Sequence, residues 1–186
     1  DGEGAGDSSG NSVSISSDGS VVAIGAYQND ANGNGSGHVR IYKNINNTWT
    51  QLGSDIDGEA SGDNSGRSVS LSADGSIVAI GANYNDGNGS NSGHVRIYKN
   101  INNTWTQIGS DIDGEAANDW SGGSVSLSSD GSVVAIGAEW NDNENGSDSG
   151  HVRIYRNVNN SWTQVGSDIN GEAFFDLSGN SISLSS

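Results

Sequence analysis

The chain repeats itself. The stretch Asp57–Ile112 recurs with few changes as 1–56 and, with one inserted residue, as 113–169, and a partial copy occupies 170–186. A unit of this length is one supersecondary module that cannot bury its apolar face alone, so copies must stack on one another. Periods of 56, 56 and 57 residues therefore predict a single array over 1–186 and not a set of independent domains. The chain has no Met, and both of its ends fall inside a repeat, so it is expected to be part of a longer protein.

Four strand signals recur in each unit. In the second repeat the first is Ser68–Ser72, alternating polar and apolar, followed by Asp74-Gly75, a dipeptide favoured in tight hairpins. The second, Ser76–Ala82, is more continuously apolar and is expected to be covered on both faces. A loop of Asn, Gly, Asp and Ser covers Asn83–Gly93. The third strand, His94–Lys99, places Val95 and Ile97 on one face and His94, Arg96 and Tyr98 on the other. Asn100–Asn103 makes a turn, Thr104–Ile108 is the fourth strand, and an acidic connector, Gly109–Gly122, leads to the next unit. No segment has helical periodicity. Four antiparallel strands joined by short turns form a meander sheet, and meander sheets packed radially form a β-propeller. The fold class is therefore all-β: a β-propeller-type array of four-stranded antiparallel blades, with three full blades and one extra strand at Ser181–Ser185. A β-solenoid is the rival, but its rungs are shorter and lack four hairpin-like turns each.

The run SVSLSADGSIVAIGA followed by GHVRIYK is similar to the WD-repeat pattern of strand, Asp-Gly turn, strand, and a third strand ending in an aromatic. It also resembles the FG-GAP repeats of integrin-type propellers, with their Gly-Ser-Val strand, an apolar strand ending near Gly-Ala, and a Gly-x-Val-x-Ile-Tyr strand. The WD dipeptide is missing, and Gly93-His94 precedes the third strand instead of the first. The FG-GAP resemblance implies a calcium loop between the first two strands. Here that loop has shrunk to Asp74-Gly75, so the family's metal site does not carry over to it.

Composition narrows the partners. With 7 Lys plus Arg against 23 Asp plus Glu, the net charge of −16 repels phosphate backbones and anionic membrane surfaces, so no nucleic acid is expected. The longest apolar runs, such as Val21–Ala26, are too short to span a bilayer, and no membrane insertion is expected. Without Cys there are neither disulfides nor thiolate metal sites.

Comparison of the repeats with one another points to two variable loops. Between the second and third strands, equivalent positions read Gln28, Tyr84 and Trp140, and the connector varies at positions that include Arg67 and Trp120. In a meander both loops project from one end of the sheet. Free drift of loop sequence is one reading. The gain of aromatics is the signature of a contact rim.

The connector acids Asp55, Asp57, Glu59 and Asp63 recur as Asp111, Asp113, Glu115 and Asp119. Residues i, i+2 and i+4 of an extended chain share a face, so three carboxylates are expected to converge. Such hard ligands suit Ca2+; the alternative is a solvated connector whose turns are capped by Asp. His38, His94 and His151 recur two residues before Arg40, Arg96 and Arg153, and a role three times identical is structural: these side chains tie a blade to an Asp of its neighbour. Trp49, Trp105 and Trp162 are expected to cover blade edges. Sequons at Asn34, Asn46, Asn88, Asn102, Asn145 and Asn159 could each carry a glycan.

Near-identical repeats without a singular acid pair or Ser/His/Asp constellation lead to the expectation of a non-catalytic extracellular or cell-surface module. Its expected work is adhesion, surface display or the building of an assembly, with copies of itself or the rest of a longer chain as partners. The alternative is a lectin-like propeller with one glycan site per blade.

Overall fold

Fifteen short strands and no helix make up residues 2–185, the part of the chain that the computed structural model describes. The first sheet contains β1 (Ser12–Ile15), β2 (Val21–Ala26), β3 (His38–Ile45), β4 (Thr48–Gln51) and β5 (Ile56–Asp57). The second contains β6 (Ser68–Leu71), β7 (Ile77–Ala82), β8 (His94–Ile101), β9 (Thr104–Gln107) and β10 (Ile112–Asp113). The third contains β11 (Ser124–Leu127), β12 (Val133–Ala138), β13 (His151–Val158), β14 (Ser161–Gln164) and β15 (Ile169–Asn170). Every ladder between these strands is antiparallel; the first four strands of each sheet pair in sequence order, which is a meander, and the short fifth returns to pair with the third. These are propeller blades in topology, as the strand signals lead one to expect.

Each sheet has one strand more than the four read from the sequence. The extra piece is the far half of the fourth strand. β9 pairs with the C-terminal half of β8 and β10 with its N-terminal residues, so both lie on the same edge of β8, interrupted between Gln107 and Ile112. The interruption works as a large bulge, which bends a strand and re-aims its side chains.

Two turn types hold the meander. The Asn-Asn turn is a two-residue hairpin between β8 and β9, with φ +53° at Asn102 and +65° at Asn103. Positive φ at both positions defines the type I′ turn, and Asn tolerates it better than most residues. The Asp-Gly pair is less tight than expected. Ser72 N donates to Ile77 O, which leaves a loop of four residues, 73–76, instead of two. The Asp74 carboxylate closes that loop by accepting from Ser72 Oγ, Ser76 N and Ser76 Oγ.

The core lies between the blades. At the first seam Ala23, Val39, Ile41 and Ile56 meet Leu71, Val78, Ile80 and Tyr98; at the second Ala79, Val95, Ile97 and Ile112 meet Leu127, Val134, Ile136 and Tyr155. The middle blade is thus covered on both faces. Alternation in β8 divides two seams here and does not separate core from solvent.

The same holds for the serines of the inner strands. Ser14 Oγ accepts from Leu71 N, Ser70 Oγ from Leu127 N, and Ser126 Oγ from Leu184 N. Ser12, Ser68 and Ser124 donate to Gly66 O, Gly122 O and Gly179 O of the following connectors. Polar residues that read as solvent-facing therefore stitch each blade to the next. Leu184 takes the docking position of an inner strand, but the stretch around it forms no ladder among the described residues. Close approach of this kind needs glycine: a Cβ on Gly81 would sit 2.0 Å from Gly122 O.

Candidate functional site: the seams and the loop rim

The connector acids do not converge with one another. The bulge before β5 aims Asp55 at His38, 3.7 Å from its Nδ1, and Glu3 completes that group at 3.8 Å. Past β5 the connector crosses to the second blade, where Glu59 lies 3.9 Å from His94 Nδ1 and Asp111 lies 3.6 Å from it. The third group joins Glu115 and Asp168 to His151, both at 3.9 Å. Three Glu/His/Asp triads result, one per repeat, each with its ligand atoms within 4.8 Å of one another. They contain all three histidines of the chain. A tie from His to an Asp of a neighbouring blade was expected; the Asp belongs instead to the same blade and the connector supplies Glu, a meeting hidden in the sequence because Glu and Asp of one triad are 52 or 53 residues apart (59 to 111, 115 to 168).

The remaining connector acids lie outside the triads. Asp57 and Asp113 present their backbone carbonyls to Arg96 Nη2 and Arg153 Nη2 at 2.7 and 2.8 Å. The tie between blades expected from Arg thus exists, but it runs to a carbonyl and to Glu, with Arg96 Nη1 3.6 Å from Glu59 Oε1 and Arg153 Nη1 3.5 Å from Glu115 Oε1. Asp63 and Asp119 are buried and hold turns, accepting from Ala60 N and Ala116 N and from the amides of Asn85 and Asn141. Asp63 and Asp119 therefore leave the proposed cation set.

Burial governs the electrostatics. Desolvation, with Arg96 adding to it, brings the His94 imidazole down to about 4, and desolvation with Arg153 lowers His151. Neutral imidazole is the form that ligates metal. Desolvation pushes Asp57, Glu59, Asp113 and Glu115 up. The Asp-Gly loop does not fit a calcium site, since its single carboxylate is consumed by the turn.

The two variable loops do share an end of the sheets. Ser121 N donates to Ser92 O and Trp120 N to Asn91 O, so the connector runs beside the β7–β8 loop. The rim aromatics then form a ladder across blades: Tyr84 to Trp120 at 4.8 Å, Trp120 to Trp140 at 5.1 Å, and Trp140 to Phe175 at 6.4 Å between ring centroids. Phe174 extends it, 4.5 Å from Phe175. The two Phe were not singled out from the sequence, although they stand where the earlier connectors carry Ser61 and Gly62, and Ala117 and Asn118, so the comparison of repeats could have found them. Trp120 holds φ at +54°, a conformation unfavourable for a bulky side chain. At the first blade the rim is polar: Gln28 accepts from Ser8 Oγ, and Arg67 stacks on Tyr27 at 5.4 Å.

Trp105 and Trp162 cover blade edges by reaching back one repeat, where their indole N–H groups donate to Leu52 O and Ile108 O at 2.7 and 2.8 Å. Trp49, in the first blade of the described residues, stays 46% exposed. All six sequon asparagines are exposed. Asn46, Asn102 and Asn159 sit on hairpin tips. Asn88 and Asn145 instead spend their amides on Gly114 O and Gly171 O, and their first-repeat equivalent in this role is Asn32, not Asn34.

Meander blades, inner strands side by side and a loop rim define a β-propeller-type repeat array. More narrowly, residues 55–98 and 111–155 match the FG-GAP repeat family. No curated protein matches the chain in sequence. Among solved structures it is similar to the Saccharomyces cerevisiae protein Sqt1 (14% identity, TM-score 0.57), covering 90% of this chain and 37% of that one. It is also similar to a putative 6-phosphogluconolactonase from Bacteroides uniformis (15% identity, TM-score 0.53, 85% of this chain and 40% of that). The hydrazine synthase of Kuenenia stuttgartiensis is a third (11% identity, TM-score 0.53, 86% and 36%). Identities this low establish the propeller fold alone. The chain spans roughly two fifths or less of these relatives.

Proposed function

We propose that the chain is a non-catalytic extracellular repeat module whose end blades join further copies of the same repeat, in adhesion, surface display or a growing assembly. One observation carries this reading: the two open faces are the two halves of the seam that the molecule already builds twice. On the first blade, Val22, Ile24, Arg40, Tyr42 and Trp49 line an open cleft. The corresponding Val78, Ile80 and Tyr98 are buried at the first seam. On the third blade Ile169 is 55% exposed, whereas its equivalents Ile56 and Ile112 are 6% and 5% exposed against a following blade. Faces that differ and complement one another make a head-to-tail contact, which closes rings or extends fibres. The partner repeat can belong to a longer chain or to a second copy. Any cation at the seams would add cohesion. Extracellular placement is supported by the acidity and by the hairpin-tip sequons.

Sedimentation velocity of residues 1–186 over a wide concentration range tests this reading. The expected result is concentration-dependent association that Ile169→Glu and Trp49→Glu each suppress. A monomer at every concentration would sink it.

The aromatic ladder favours a second reading, a glycan surface. Trp120 and Trp140 line a cavity with Asn118, Asp119, Asp142 and Asp148, an arrangement of stacking faces and hydroxyl acceptors. Trp120→Asn restores the residue of the second repeat's connector, Asn64. Binding on a glycan array that this variant abolishes would favour the lectin-like role.

A further inference from the structure

We propose that each Glu/His/Asp triad is a binding site for a divalent first-row transition-metal cation of the Zn2+ type, and that the bound ion clasps successive repeats together. Acid clusters alone would not carry this. The second observation is the imidazole. His38 and His151 are each 1% exposed, and the Nδ1 atom of each has no hydrogen-bond partner. A buried polar atom of this kind costs free energy unless something meets it. Each of these atoms is aimed between two carboxylate oxygens, at 3.8 and 3.7 Å for His38 and at 3.9 and 3.9 Å for His151.

Those separations are too long for hydrogen bonds, which run about 2.7–3.2 Å. They approach the spacing of two ligands of one cation: donors each about 2.0–2.2 Å from a metal lie about 3.3–3.8 Å apart at tetrahedral-to-trigonal angles, so a bound ion would draw these groups together by a few tenths of an ångström at most. The donor set also selects the ion. Calcium takes oxygen ligands only, and more than three of them. One imidazole nitrogen with two carboxylates suits Zn2+, Mn2+, Fe2+ or Co2+, and leaves a coordination position for water. Charge agrees, because two carboxylates face one guanidinium in each triad and leave an unbalanced negative charge.

The chain supplies the ligands from two directions. In the second triad, Glu59 leaves the first blade on the connector, while His94 and Asp111 belong to the second blade. A metal there ties the connector to β8 beside the Arg96–Asp57 bond and adds to the apolar seam. The expected stoichiometry is one ion per repeat.

Calorimetric titration of chelator-treated 1–186 with Zn2+ tests this, with Ca2+ and Mg2+ titrated in parallel. The expected result is up to three Zn2+ bound per chain, a melting temperature that rises with Zn2+, and no such rise with Ca2+ at equal concentration. His94→Ala and Asp111→Asn should each remove one equivalent, while Asp142→Asn, an acid outside the triads, should remove none. Should His94→Ala fail to fold, the near-isosteric Asp111→Asn decides. Absence of Zn2+ binding, or a stoichiometry insensitive to Asp111→Asn, would overturn the proposal and leave a His–carboxylate contact only. Equal response to Ca2+ and Zn2+ would overturn the choice of ion.

Discussion

Three tryptophans occupy one position in the repeat, and their surroundings differ in only one respect. Trp105 and Trp162 donate to a carbonyl of the preceding blade, while Trp49 faces an open cleft. A fully buried Trp→Ala change costs about 3–5 kcal/mol, and these half-buried indoles should lose about 2. We expect chemical denaturation of dilute protein to show Trp105→Ala and Trp162→Ala destabilised by that amount, and Trp49→Ala by about 0.5 kcal/mol or less, as for exposed sites. Equal losses at all three would mean that the indoles act within their own hairpins. The edge-covering role was legible in the sequence from the strict recurrence of Trp beside an Asn-Asn turn. Its direction, one repeat backwards, was not, because a hydrogen bond to Leu52 O leaves no trace in side-chain chemistry.

At the scale of the element, the hairpin turns carry their own chemistry. Asn103 sits at φ +65°, where a residue with a Cβ and no polar side chain pays about 1–2 kcal/mol. Asn103→Ala should be destabilised by about that much, and Asn103→Gly should be neutral or slightly stabilised. Thermal melts of the pair check this; an indifferent Ala variant would contradict the type I′ assignment. The Asp-Gly loops set the response to acid. Hydrogen bonds from Ser20 N and from the Ser16 and Ser20 hydroxyls hold the Asp18 carboxyl at about 2, and bonds from Ser128 and Ser132 do the same for Asp130. A carboxyl lowered in the folded state binds its proton less readily there than in the unfolded chain. Its contribution is therefore complete above the unfolded value near 4 and is lost as pH falls towards about 2. Melting temperature should fall across that window, and Asp18→Asn with Asp130→Asn should flatten the fall. The dipeptide announced a turn, but its loop length was set by Ser72 and Ile77 pairing one step beyond the strand.

For the whole molecule, stability should follow the order of the array. Each seam is shared by two neighbours, so the middle blade has two and the end blades one each. Hydrogen exchange should be slowest in β7 and β8 and faster in β2 and β13, as local opening starts from the ends. Uniform protection would indicate that the blades unfold as one unit. Association should narrow this gradient by covering the end faces, and higher protein concentration should then raise the melting temperature.

The sequence by itself determined the period, the meander, the placing of the turns and the shared end of the two variable loops. Each of these follows from local alternation and from the backbone preferences of Gly, Asn and Asp. The tertiary structure alone decided which residues face which neighbour. Glu59 and Asp111 are nearly a full repeat apart and meet at His94 only because the connector crosses the seam. The polar face of β8 is buried, and the serines of the inner strands bind backbone, because every blade face becomes an interface once blades stack. Periodicity records which side of a strand is apolar; the seam, formed only when a second copy packs against it, determines what each side touches.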